Sequence, residues 1–134
     1  MIWTMKNNVL NERAVDTFVI ISETLEKWQS PGSEEGKAVL MEHYGWGAEL
    51  KAQNKLILAG PADVELTSTN IINPVGHITG IIILNVKSRE EAVRWAEADP
   101  FHVHGYRKNV VYSLKVTMTE SRLSEALQKM NGNE

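Results

Sequence analysis

His77-Ile78-Thr79-Gly80-Ile81-Ile82-Ile83-Leu84-Asn85-Val86, then Lys87, then Ser88-Arg89-Glu90-Glu91 and on to Ala98-Asp99-Pro100-Phe101, is the stretch from which the fold can be read. Its first part is almost continuously apolar and β-branched, the pattern of a strand buried on both faces. Ser88 then opens a helix, because a serine at the cap with Glu91 three positions on forms a capping box. Ala92, Trp95, Ala96 and Asp99 fall on one face of that helix. Pro100 ends it, since proline has no N–H to donate and disfavours helical geometry at the residue before it. The carboxylate of Asp99 is thereby left at the carbonyl end of a helix. That end carries partial negative charge, so an anion there needs a cation or a proton.

The flanking chain completes a pattern. Upstream, Lys55-Leu56-Ile57-Leu58-Ala59 reads as a strand ended by Gly60-Pro61, and the polar residues 62–74 read as a loop that projects from the core or covers a pocket. Before it, Ser33-Glu34-Glu35-Gly36 opens a helix on which Val39, Leu40, His43, Trp46, Gly47 and Leu50 recur at helical spacing. Thr17-Phe18-Val19-Ile20-Ile21 reads as a strand from its β-branched density; a competing helical reading joins Ala14, Phe18, Ile21, Leu25 and Trp28. Downstream, residues 110–119 alternate, with Tyr112, Leu114, Val116 and Met118 opposed to Ser113, Lys115 and Thr117. A tail helix over residues 120–130 carries a narrow stripe of Leu123, Leu127 and Met130 that docks on the domain or on a neighbouring subunit. The order β-α-β-β-α-β plus a tail helix predicts an α+β, ferredoxin-like sandwich over residues 16–119, between an extension at 1–15 and a C-terminal helix at 120–134. Helices would cover one sheet face. The apolar third strand predicts that a second copy covers the other, in a homodimer packed sheet to sheet.

Composition narrows the function. The 134 residues fit one domain, and 43% hydrophobic residues can fill one core. The net charge of −3 comes without a basic stripe, which argues against nucleic acid. The absence of cysteine excludes disulfides, zinc–thiolate and iron–sulfur sites and a thiol nucleophile. No signal-like start and no apolar run longer than Ile81-Ile82-Ile83-Leu84 is present, so no membrane partner is expected and a cytoplasmic location is.

The chemistry rests on few residues. His43 lies on an otherwise mostly apolar helix face, and an imidazole exchanges protons near neutral pH. Paired with Asp99, it becomes a general base or acid with a fixed tautomer; alone, it is a core histidine with one hydrogen bond. Asp99 either meets His43 or bonds backbone N–H groups in the 101–105 turn. A salt bridge would lower its pKa and burial would raise it. His102 and His104, with His43 and Asp99, form a set that suits zinc, iron or manganese, against a plainer reading as solvent-facing side chains. His77 reads as a strand-edge residue. Trp46, Trp95, Phe101 and Tyr106 are either pocket walls or ordinary core. Tyr106 and Arg107 either supply a proton or anchor an anion, or they lie on the surface.

Several segments together resemble the YciI-like (YCII-related) family of the dimeric α/β-barrel superfamily. They are His43 with Trp46 and Glu49-Leu50; Leu58-Ala59-Gly60-Pro61; Thr79-Gly80; Ser88 with Glu91-Ala92; Trp95-Ala96; Ala98-Asp99-Pro100-Phe101; and Gly105. The likeness spans residues 16–117. It implies a dimer of ferredoxin-like domains with a His43–Asp99 pair at its site. It also implies cofactor-free chemistry on small organic molecules, including elimination and isomerisation; muconolactone isomerases and cofactor-independent oxygenases are more distant relatives. The chain departs from the family pattern at His102 and His104, at Tyr44, and in the polar run Thr67-Ser68-Thr69-Asn70. The expectation is a lyase- or isomerase-type enzyme, with catalytic His43 and Asp99 and a pocket of Trp46, Gly60, Pro61, Phe101, His102, His104 and Tyr106. Neither metal nor cofactor is expected. The alternative is a non-catalytic dimer that binds a metabolite or a larger partner through the same pocket.

Overall fold

The structure is a computed structural model that describes residues 16–29, 32–62 and 75–132. Its elements in chain order are β1 (Asp16–Thr24), α1 (Glu34–Ala52), β2 (Leu56–Pro61), β3 (Ile78–Leu84), α2 (Arg89–Ala98), α3 (Pro100–Val103), β4 (Arg107–Lys115) and α4 (Ser121–Gly132). The four strands form one sheet in the order β2-β3-β1-β4, every neighbouring pair antiparallel. This is the α+β, ferredoxin-like arrangement that the element order predicts. The segment 17–21 with two open readings is a strand, the central β1.

Register decides which side chains meet. Ile20 lies opposite Ile82 on one side and Val111 on the other, and Phe18 lies opposite Leu84 and Ser113. Phe18, Ile20, Ile82 and Leu84 pack with Leu50 of α1 and Ala92 and Ala96 of α2 into the main core. Small residues on α2 let it lie close to the sheet, and the indole N–H of Trp46 on α1 donates to the carbonyl of Trp95 on α2 at 3.1 Å. Both helices are capped as the sequence indicates: the Ser33 hydroxyl accepts from Gly36 N–H, and the Ser88 hydroxyl from Glu91 N–H. The Glu91 carboxylate reaches back to the N–H of Lys87, one residue before the cap.

Three differences from the sequence reading have physical causes. Gly60-Pro61 extends β2 rather than ending it, because Pro61 lies on an edge strand, where a missing N–H costs no ladder bond. The region after Pro100 is a one-turn helix, since proline suits the first helical position and the Asp99 carboxylate caps the Phe101 N–H at 3.1 Å. From Gly80 onward, β3 is fully buried on one face only. Gly80, Ile82 and Leu84 are buried, while Ile81 and Ile83 are half-buried, because α1 and α2 both pack on the same side of the sheet. The loop expected to cover a pocket lies, beyond Ala62, outside the described residues.

Leu84 is completely buried in the main core. Leu84→Ala should lower unfolding stability by about 2–5 kcal/mol in urea denaturation. A loss of less than 1 kcal/mol would mean that the packing around β3 is not as described.

Candidate active site

The kink between α2 and α3 brings Asp99 beneath the middle of α1. Its carboxylate is completely buried, and one oxygen, Oδ1, stands 2.7 Å from Nδ1 of His43. The same oxygen accepts the Phe101 N–H, and Oδ2 accepts from Nδ2 of Asn109 at 3.0 Å. Asn109 lies on β4 directly opposite Ser22 of β1. Its Nδ2 also donates to the Ala96 carbonyl at 2.9 Å, and its Oδ1 accepts from the Ser22 hydroxyl at 2.5 Å. The orientation of the Asn109 amide follows from these partners, since only the NH2 end can serve two acceptors.

Electrostatics follow from this geometry. Burial acts to raise the Asp99 pKa. The hydrogen bond and charge of His43, then the Asn109 amide and the Phe101 N–H, act more strongly in the other direction and leave it lowered. Asp99 is thus an anion at neutral pH. An anionic partner accepts a hydrogen bond from Nδ1–H, so the imidazole keeps Nε2 for whatever occupies the space in front of it.

That space is a cavity of about 630 Å³ between α1 and the sheet. A volume of this size suits one small organic molecule. Of the residues that the sequence assigns to the site, His43, Trp46, Gly60, Pro61 and Phe101 line it. The His43 ring lies nearly parallel to Phe101, with centroids 4.3 Å apart, and to Trp46 at 5.4 Å. Asp99 stands behind this wall.

His102, His104 and Tyr106 do not line the cavity. The half-buried His102 uses Nδ1 to accept the backbone N–H of Asn109. His104 is exposed beside Glu42, at 3.2 Å. Tyr106 is buried in a second apolar cluster with Val39 and Phe101, where burial and then the charge of Glu35 hold its phenol pKa up. α3 and the turn after it point these three side chains in different directions. Among the described residues no three histidine or acidic side chains gather to hold a metal ion.

The structure adds residues that the sequence reading left aside. Asn109 is the chief one; a polar residue on the core-facing side of an alternating strand was the available signal. Arg107, left open between an anion anchor and the surface, lines the cavity. Its guanidinium lies 4.3 Å from the Phe101 ring centre and 5.3 Å from that of Trp28. A methyl group at position 80 would stand 3.0 Å from Nη1 of Arg107, so Gly80 keeps open the space that the guanidinium occupies.

The model of the YCII-related domain matches residues 17–115, most of the chain and all four strands. The chain belongs to the YCII-related family. Among curated proteins none matches it. Among solved structures it is similar to the 5-chloro-2-hydroxyhydroquinone dehydrochlorinase of Burkholderia phenoliruptrix AC1100, determined in complex with 2,5-dihydroxybenzoquinone. That likeness has a TM-score of 0.51 and 24% identity over 74% of this chain and 93% of the other, and it supports the YCII-related fold.

Asn109→Ala removes a donor to Asp99 and leaves buried partners unsatisfied. It should cost about 1–3 kcal/mol and raise the Asp99 pKa, measured by urea denaturation and by NMR titration of the carboxyl carbon. Because the folded pKa of Asp99 lies below its ordinary 3.8, its stabilisation is complete above that pH and is lost as the pH falls through the folded value. The variant should lose less stability over that acid window than the parent does.

Proposed function

We propose that this YCII-related protein is a cytoplasmic, cofactor-free enzyme that moves a proton on a small organic molecule, in a lyase- or isomerase-type reaction. The observation that carries the reading is the 2.7 Å contact between His43 and the buried Asp99 at the wall of an apolar cavity. In this reading Nε2 of His43 takes a proton from a carbon or hydroxyl next to an electron-withdrawing group. The electron pair left behind forms a double bond as a leaving group departs, or is reprotonated at another carbon. Asp99 stabilises the imidazolium between the two steps. The dehydrochlorinase activity of the structural neighbour is elimination chemistry of this kind. Two features suit proton transfer: an imidazole held in one tautomer, and a mostly apolar wall around it.

The test uses 5-chloro-2-hydroxyhydroquinone as the first substrate, with chloride release as the readout. His43→Ala should lower turnover by about 10²–10⁴-fold, and Asp99→Asn should lower it in the same direction. Unchanged turnover in a folded His43→Ala protein removes the catalytic role. Recovery of ligands unchanged after long incubation favours the binding-module reading.

We also propose that two copies pair through the sheet face that the helices leave uncovered. That face carries half-buried Val19, Ile21, Ile81 and Ile83 together with exposed Leu58, Tyr112 and Leu114. Burying such a face removes apolar area from water at about 25 cal/mol per Å². Sedimentation velocity should give a dimer for the parent and a monomer for Ile83→Lys. A monomeric parent protein at micromolar concentration overturns the proposal.

A further inference from the structure

His102 stands away from the cavity, yet it holds a group on which the His43–Asp99 pair depends. Its Nδ1 accepts the backbone N–H of Asn109 at 3.2 Å. β4 ends the described sheet, so an N–H of Asn109 turned away from β1 meets no further described strand. The half-buried imidazole takes that place and ties α3 to the strand.

This bond fixes the state of the ring. An accepting nitrogen carries a lone pair, so His102 in this arrangement is neutral, with its proton on Nε2. His43 is the reverse, because its Nδ1–H donates to Asp99. The two imidazoles hold opposite tautomers, and Asn109 lies between them. Its Nδ2 donates to the Ala96 carbonyl and to Oδ2 of Asp99, and its Oδ1 accepts from the Ser22 hydroxyl. A side chain with three fixed partners tolerates little movement of its own backbone. A displacement of about 1 Å at the strand would stretch the contact with Asp99 out of hydrogen-bond range. The carboxylate would then keep two donors, His43 and the Phe101 N–H.

We propose that His102 is a positioning residue for the His43–Asp99 pair. Its ring sets the β4 backbone at Asn109, the Asn109 amide sets Asp99, and Asp99 sets the tautomer and orientation of His43. The effect on turnover rests on the proton-transfer reading above. The effect on the geometry of the pair rests on the hydrogen bonds alone.

The test compares His102→Phe, which keeps a ring and loses the acceptor, with His102→Asn, whose Oδ1 stands close to the position of Nδ1. Ring nitrogen shifts of nitrogen-15-labelled protein are read at about pH 8, where an unperturbed imidazole is neutral. The parent should carry the His102 proton on Nε2 and the His43 proton on Nδ1. In His102→Phe the His43 signals should move toward a mixture of tautomers, and the Asn109 amide should exchange with deuterium about tenfold faster or more. With 5-chloro-2-hydroxyhydroquinone, the same variant should lower kcat by about tenfold and leave KM within about twofold, since no group lining the cavity has changed. His102→Asn should recover most of each effect.

A parent protein with the His102 proton on Nδ1 overturns the proposal. So does a folded His102→Phe protein with parental His43 signals, and so does an equal loss in the two variants, which marks the ring as packing alone. The parent's tautomers need no variant, so a substitution that fails to fold does not remove the test. If the parent releases no chloride, the proton-transfer reading falls and the nitrogen shifts still decide the positioning role. If His43→Ala abolishes turnover while His102→Phe leaves both kcat and the His43 signals unchanged, only the positioning role falls.

Discussion

A buried carboxylate at a break between two helices is the constraint on which the rest of this structure depends. Removing an isolated carboxylate from water costs several kcal/mol, and such a charge persists only where donors replace the lost hydration. Asp99 has three: the imidazole of His43, the amide of Asn109 and the backbone N–H of Phe101. Each comes from a different element, so satisfying one side chain fixes α1, β4 and α3 relative to one another. The proline that stops α2 also starts α3, and its position aims the carboxylate inward rather than along the exposed helix end.

Phe101 joins that polar group to the apolar packing. Its ring meets His43, Arg107, Trp28 and Tyr106, and it belongs to the second core cluster with Val39. The wall of the cavity and part of the core are therefore the same side chain. The imidazole and the guanidinium are positioned by packing against it, which restricts two long side chains at little further entropic cost.

The sequence shows most of the fold because its signals are local. Ser33 and Ser88 mark helix starts, Pro100 marks a stop, and β-branched runs mark the strands. His43 and Asp99 were legible as partners because each was out of place alone: an imidazole on a mostly apolar face, and an acid at the negative end of a helix. The role of Asn109 was not, because it depends on the β1–β4 register that sets it opposite Ser22. His102, His104 and Tyr106, expected as pocket residues, lie away from the cavity for a related reason. Short spacing in sequence says little about direction once a single helical turn and Gly105, with its φ of +78°, rotate the chain.

The hydrogen-bonded line from Ser22 through Asn109 and Asp99 to His43 links the first strand of the sheet to the last. During synthesis, a chain that has not yet released residues 107–115 has no amide to offer the acid and no strand to lay against β1. The full set of donors around the acid therefore exists only once the last strand has paired with the first.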